Sequence, residues 1–433
     1  MTPRPGWQGS ELEGGAVAIG WCFLTMKFLQ LFLLSALTAA SAWSQDLVGL
    51  YLMWQSDPTT TMTVNWVDLH TNSSLDVHFR RVGETAWMKA TGTKFAIADT
   101  TMQGRRVELQ SLLPDTHYEF NIGKPIAKPT EGWRFRTMPR DLNRPVRFVS
   151  GGDMMHTRQK LDKATGSAAS LDPDFALLMG DLAYANGVSS NRWVDWLKSW
   201  MERAVSPNGR LIPMVVGIGN HEVRGGTNGK IPEDAPFFYS LFRSPAQRSY
   251  YALDFGDYLS ILLLDTAHTQ PVAGAQAQWL EGALAERKGK QFVFMAYHYP
   301  AYGTTKAPKG GTPLDAKLSI AIREHWMPSW EKYGVTAVFE NDHHNYKRTH
   351  RLRQHKRDDA NGILYLGDGA WAVETRTVPD PATSWWLAKA AGRNHVWEVN
   401  LRSSGTSMIR AVDIDGVEFD KVDLATPRTK PVE

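Results

Sequence analysis

Five short apolar runs, at residues 146–150, 175–179, 212–216, 292–296 and 335–339, are each followed within a few positions by a polar cluster. The clusters read Gly152-Asp153, Gly180-Asp181-Leu182-Ala183-Tyr184, Gly219-Asn220-His221-Glu222, His298-Tyr299-Pro300 and Asn341-Asp342-His343-His344. A strand that is apolar at nearly every position is buried on both faces. Between the runs, residues 191–205, 275–287 and 314–327 have helical length and amphipathic spacing, so the unit is βαβ and the class is α/β. Residues 249–264 read as a hairpin around Gly256-Asp257, and strands near 362–367, 395–402, 407–413 and 416–421 add antiparallel sheet. In an open α/β sheet the carboxyl ends of the strands form one crevice, which predicts that the five clusters converge despite their distance in sequence. Glycine ahead of Asp or Asn lets the backbone turn sharply there and approach a ligand closely.

The chain contains one cysteine, Cys22, so a metal at these clusters would need His, Asp, Asn or Tyr ligands. Carboxylate, amide oxygen, phenol and imidazole together suit Fe, Zn or Mn. A single Gly-Asp is most often a turn, and Asn-His-Glu can equally open a helix. The signal lies in five such clusters, in order, each closing a strand. The formal net charge of +3, from 48 Lys and Arg against 45 Asp and Glu, gives no whole-molecule attraction to nucleic acid or anionic membrane. No basic patch interleaved with aromatic residues suggests nucleic-acid reading.

Residues 46–140 carry short alternating runs separated by Asp, Asn, Gly and Pro, the pattern of an antiparallel sandwich. The stretch from Leu112 to Phe120 resembles the strand-entry corner of fibronectin type III domains, where a Tyr hydroxyl ties back to the backbone. Upstream, one Lys, an apolar run at residues 28–37 and the triplet Ala40-Ser41-Ala42 read as a secretory signal peptide cleaved after Ala42 or Ser44. The run is shorter than the ~20 residues of a membrane span. The expected divisions are a leader over 1–44, a fibronectin-like domain over 45–140 and a catalytic domain over 145–425. The mature chain would be exported, free of cysteine and without stable membrane insertion.

The order and wording of the five clusters resemble the calcineurin-like metallophosphoesterases, and specifically the purple acid phosphatases. That family has blocks of Gly-Asp, Gly-Asp-x-x-Tyr, Gly-Asn-His-Asp/Glu, a block ending in His, and Gly-His-x-His, behind an N-terminal fibronectin-like domain. The resemblance implies an α/β (α+β) four-layer metallophosphoesterase sandwich preceded by an all-β fibronectin type III-like sandwich. It implies two metal ions, Fe(III) plus a divalent Fe, Zn or Mn. One would be held by Asp153, Asp181, Tyr184 and His344, the other by Asp181, Asn220, His298 and Asp342, with Asp181 bridging. A phenolate ligand favours Fe(III). Many metallophosphoesterases open with Asp-x-His, but here His156 stands one residue too far from Asp153, so it is expected beside the ligands rather than among them.

Where the family's last block begins with His, this chain has Asp342. A carboxylate is a competent ligand that tilts the second site toward Mn or Fe and adds negative charge. The alternative is that a register change brings His343 to the metal.

By the same resemblance the chain hydrolyses phosphate monoesters through metal-activated hydroxide, with Asn220 and His221 at the phosphate and His221 stabilising charge or protonating the leaving alkoxide. Glu222 would orient His221 or serve as a cap. A phosphodiesterase or nucleotide pyrophosphatase is the competing enzyme reading, and a surface-binding protein with a degenerate site the competing class. Arg224 with Gly225-Gly226 reads as a solvated loop, His268 and His350 as surface or satisfied core residues, and Trp193, Trp196 and Trp200 as core. Tyr302 and the loop 306–311 are candidates for gating the cleft. The partner is a small phosphorylated substrate, and the oligomeric state is left open. A disulfide of the kind that often ties the family's dimer is not available to a chain without cysteine.

Overall fold

The computed structural model of the chain describes residues 47–69, 74–124, 132–226 and 229–424. The signal peptide expected within residues 1–44 lies outside the described residues. Among the described residues no helix is long and apolar enough to cross a membrane.

The first part is all β. One sheet runs Leu47–Met53, Met62–Asp68, Gln103–Leu109, Thr93–Ala96, and the other Met88–Thr91, Asp76–Arg81, His117–Ile122, Trp133–Arg136. Leu50, Leu52, Val64 and Trp66 of the first meet Val77, Phe79, Tyr118 and Phe120 of the second in a common core. The Tyr118 hydroxyl accepts a hydrogen bond from the Leu113 N–H at 2.9 Å, as the corner motif predicts. The strand Leu47–Met53 is apolar throughout because its other face is buried too. Val48, Tyr51 and Met53 pack with Trp193, Trp196 and Leu197 of the helix Ser190–Arg203. Gly49 is needed at that contact, since a Cβ there would lie 2.6 Å from Leu197 Cβ.

The larger part contains two sheets rather than one open sheet. The six-stranded sheet runs Met214–Gly217, Phe175–Met179, Val146–Gly151, His395–Leu401, Met408–Asp413, Glu418–Asp423. The seven-stranded sheet runs Tyr251–Phe255, Leu259–Leu263, Phe292–Ala296, Ala337–Phe339, Leu364–Gly367, Tyr346–Thr349, Leu387–Ala391. The two pack face to face. Phe148 stacks on Phe175 with ring centroids 4.9 Å apart and meets Phe294 and Phe339 of the other sheet at 5.5 and 6.2 Å.

The alternate residues of the same strands point outward. Val149, Ala176 and Leu178 pack under the helices Arg158–Ser170 and Ser190–Arg203, where Trp193, Trp196 and Trp200 are core as expected. Leu262, Met295 and Val338 pack under Ala275–Glu286, Lys317–His325 and Met327–Tyr333. The result is a four-layer helix–sheet–sheet–helix sandwich. Each apolar run therefore has one set of residues in the sheet–sheet layer and the other in a sheet–helix layer, which is why it is apolar at nearly every position.

Two local expectations are corrected. The helix predicted over 314–327 is a 3-10 turn at Pro313–Asp315, then Lys317–His325, then a separate helix Met327–Tyr333. Pro328 has no N–H to continue the first helix, so a new one starts there and ends at Gly334 in the left-handed region (φ 67°). The strand near 362–367 is not purely antiparallel, since Leu364–Gly367 runs parallel to Ala337–Phe339 and antiparallel to Tyr346–Thr349.

Because Phe148 carries the contact between the two sheets, Phe148→Ala is expected to lower unfolding free energy by about 3–5 kcal/mol. Urea denaturation checks this, and a loss below about 1 kcal/mol would show that the sheet–sheet layer repacks around the gap.

Candidate metal centre

Three of the clusters leave the six-stranded sheet and two leave the seven-stranded one, and all meet where the carboxyl ends of the two sheets come together. The backbone at this junction is unusual. Asp153 (φ 56°), Asp181 (52°), Tyr184 (54°), Asn186 (51°), Asp342 (78°) and His344 (56°) are all left-handed. Asp and Asn tolerate this conformation better than Tyr or His, and such positions persist only where the surroundings hold them. Glycine is required at two close approaches. A Cβ on Gly180 would lie 2.5 Å from the Gly219 nitrogen, and one on Gly369 would lie 1.8 Å from Asp153 Oδ2.

Two groups of donor atoms result. In the first, Tyr184 Oη donates to Asp153 Oδ1 at 3.0 Å and lies 3.0 Å from His344 Nε2, which is itself 3.0 Å from Asp153 Oδ1. In the second, His298 Nε2 lies 3.3 Å from Asp181 Oδ2, 3.2 Å from Asn220 Oδ1 and 3.8 Å from Asp342 Oδ1. Ligand atoms of Asp153, Asp181 and His298 all lie within 4.8 Å of one another, so the two groups adjoin. All seven predicted ligand positions are thus brought together.

The donor set fits metal. Atoms sharing one ion at bonds of about 2.0–2.2 Å stand roughly 3 Å apart, as the first group does. His298 Nδ1 is 2.9 Å from the Met179 carbonyl, to which it donates, leaving Nε2 as the atom facing the carboxylates. Burial opposes charge on that ring, yet Asp181, Asp153 and Asp342 raise its pKa to about 10, so an entering cation would displace a proton. Asp181 is fully buried, which works against its ionisation, but His298 and His221 hold it well below the usual carboxylate range. Burial and the neighbouring Asp153 and Asp181 keep the Tyr184 phenol far above its ordinary pKa in the absence of a cation. Asp342 Oδ2 is buried with no hydrogen-bond partner, an acceptor left open to an ion.

The alternative of His343 as ligand meets an obstacle. Its Nδ1 accepts from the Thr304 and Thr305 N–H groups at 2.9 and 3.1 Å, so the ring proton sits on Nε2 and no lone pair is left for a metal. Asp342 Oδ1 is paired instead with Lys306 Nζ at 2.5 Å.

His221 lies at the edge of the centre, its side chain one-third exposed. Its ring packs on Tyr184 with centroids 4.3 Å apart, and its Nε2 is 3.8 Å from Asp181 Oδ2. Its Nδ1 is hydrogen-bonded to Asn186 Oδ1, not to Glu222. Glu222 is a clamp: its buried carboxylate accepts from the N–H groups of Asp181 (2.7 Å), Leu182 (2.9 Å) and Gly219 (2.8 Å), binding two strand-end loops together. Burial and the charge on Asp181 lift its pKa to about 7.

The lesser candidates also find places. His156 stands beside the ligands, its ring edge-on to Tyr184 and His344 at 5.1 and 5.5 Å. Arg224 is not a free loop residue, since it donates to the Gly187 carbonyl at 3.1 Å and pairs with Asp99 of the β sandwich. His268 is a core residue, buried against His298, with Nε2 hydrogen-bonded to Thr266 Oγ1 at 3.0 Å and only Nδ1 left without a hydrogen-bond partner. His350 is half-buried. Tyr302 is fully buried and so cannot gate a cleft. Asn186 and Lys306 are the contacts that sequence reasoning missed. Asn186 follows Tyr184 by two positions, a signal within reach, whereas Lys306 opens the loop 306–311, which the sequence marks only as a candidate gate, with no motif to pair it with Asp342.

Residues 47–137 match the purple acid phosphatase N-terminal domain, and residues 115–339 match the calcineurin-like phosphoesterase family, a match that stops short of Asp342. The chain is 26% identical over 396 residues to the uncharacterized protein Rv2577 of Mycobacterium tuberculosis, covering 80% of this chain and 68% of that one. It is 25% identical over 297 residues to purple acid phosphatase 15 of Arabidopsis thaliana, covering 61% of this chain and 53%, about half, of the relative. Its fold is similar to that of purple acid phosphatase PPD1 from yellow lupin seeds, with a TM-score of 0.70 at 17% identity over 86% of this chain and 73% of the other.

Glu222→Gln would set an amide NH₂ against backbone N–H donors, an expected cost of about 1–3 kcal/mol. The melting temperature should fall and metal uptake with it, since the two loops carry Asp181 and Asn220. An unchanged melting temperature would remove the clamp.

Proposed function

We propose, since the chain belongs to the calcineurin-like phosphoesterase family, that it is an exported binuclear metal-dependent phosphatase hydrolysing phosphate monoesters. The observation that carries the reading is the pair of adjoining donor groups, Asp153, Tyr184 and His344 beside Asp181, Asn220, His298 and Asp342. Asp181 is the natural bridge between them. Two metals bound there supply Lewis-acid polarisation of the phosphoryl group and an activated water. The phenol of Tyr184 supports Fe(III) in the first position, with divalent Fe, Zn or Mn in the second. The leader-like residues 26–44 support export.

In this reading His221 acts on the leaving group. Its ring lies between the buried carboxylates and solvent, and Asn186 Oδ1 accepts from Nδ1–H, so an imidazolium presents its second N–H from Nε2. Such a donor can stabilise charge on the phosphoryl oxygens and protonate the departing alkoxide. Asn186 holds the ring in that orientation, with Tyr184 packed on its face.

Elemental analysis and a visible absorption spectrum of the mature protein test the metals. Iron plus a second metal, with a tyrosinate-to-iron band that disappears in Tyr184→Phe, is the expected result, and Asp181→Asn should lose both ions. His221→Ala should keep its metal and lose about 10²–10⁴-fold in kcat. Full turnover in that variant would assign proton transfer elsewhere. Turnover of p-nitrophenyl phosphate against bis-p-nitrophenyl phosphate separates monoesterase from diesterase, and a higher kcat/KM on the diester would overturn the monoester reading.

A further inference from the structure

Among the described residues, Lys306 is the one lysine or arginine whose side chain pairs with a carboxylate of the metal centre. Its stem enters from solvent, with the side chain 45% exposed, while Asp342 is only 2% exposed, so the ammonium stands at the mouth of the site. The carboxylate oxygen it touches is 3.8 Å from His298 Nε2, which puts the ammonium one contact away from the second donor group.

The base of this lysine is fixed. Gly303 packs so tightly on His343 that a Cβ would lie 2.3 Å from its ring. Thr304 and Thr305 donate their N–H groups to the same imidazole, and Thr304 Oγ1 donates to Asp368 Oδ2 at 2.8 Å. The Trp386 indole N–H donates to the Gly303 carbonyl at 3.1 Å. Past Lys306 the loop is exposed through Gly311. A rigid base thus delivers a flexible arm to the mouth. Arg376 also reaches this position, its Nη1 donating at 3.2 Å to the backbone carbonyl of Asp342 rather than to its carboxylate.

An ammonium has three N–H donors, and Asp342 Oδ1 accepts from only one. Asp342 also adds a negative charge, which repels a phosphate dianion more than a monoanionic diester. We propose that Lys306 is a substrate-binding residue of this centre, directing its remaining N–H donors to the phosphoryl oxygens and favouring dianionic monoesters over diesters. This rests on the phosphoesterase reading above.

The test uses the metal-loaded chain with Lys306→Met and Lys306→Arg. In Lys306→Met, metal content should stay as in the unaltered chain. The calorimetric dissociation constant for inorganic phosphate and the KM for p-nitrophenyl phosphate should rise about tenfold or more, and the diester KM should change little. Lys306→Arg should recover most of the phosphate affinity. Unaltered phosphate affinity in Lys306→Met overturns the proposal. So does a fall in metal content with phosphate affinity per loaded site unchanged, which would make Lys306 only a holder of Asp342. If the unaltered chain hydrolyses esters and binds phosphate but Lys306→Met matches it, the lysine assignment alone fails. If the loaded, unaltered chain binds no phosphate, the phosphoesterase reading fails and the lysine assignment with it.

Discussion

Three carboxylates, Asp153, Asp181 and Asp342, are buried in one small volume, and much of the surrounding structure serves to make that tolerable. Unpaired buried charge costs several kcal/mol per group, so each must be compensated. Backbone donors do part of this: the Asp342 N–H reaches Asp153 Oδ2 at 2.8 Å, and the His221 N–H reaches Asp181 Oδ1 at 2.7 Å. His298 and Lys306 supply positive charge. The compensation is incomplete, since Asp342 Oδ2 has no hydrogen-bond partner and only His343 Nε2 stands near it, at 3.7 Å. A chain that bound cations here only when folded would gain stability from them by mass action, so the arrangement that burdens the metal-free fold is also the one suited to hold a metal.

The β sandwich contributes to the site at a distance. The helix Ser190–Arg203 packs Trp193, Trp196 and Leu197 against the sandwich strand Leu47–Met53, and Arg192 on the same helix donates to the Ala183 carbonyl at 2.8 Å. Asp99 of the sandwich holds Arg224, which in turn holds the Gly187 carbonyl. The loop carrying Tyr184 and Asn186 is therefore braced from both ends. Residues in the left-handed region, as these are, need such bracing to persist.

Much of this was legible in the sequence because the decisive signals are local. Apolar runs such as 175–179 and 292–296 reveal strands buried on both faces, and the Gly-Asp, Gly-Asn-His and His-containing clusters mark their ends. The division of those strands between two sheets was not legible from the runs themselves. Phe148, Phe294 and Phe339 look alike in sequence, and only their packing shows that they face one another across an interface. Side-chain partnerships were harder still. Glu222 sits next to His221 in sequence but bonds to Asp181 and Leu182, some forty residues away. Lys306 reaches Asp342 across a comparable separation, with no spacing rule to announce it.

Asp at position 342 is best understood through the loop that faces it. One short segment does two jobs: Thr304 and Thr305 fix the tautomer of His343, and Lys306 balances the charge of Asp342. Beneath it, Lys347, Glu340 and Asp368 form an ion cluster with no exposed side-chain surface, and Thr304 is hydrogen-bonded to Asp368. A buried cluster of this kind is costly to disturb once paired. Sliding the segment by one residue to present His343 to a metal would remove the acceptor of two backbone N–H groups and strand Asp342 away from its lysine. The carboxylate at 342 is thus the arrangement the surrounding contacts support.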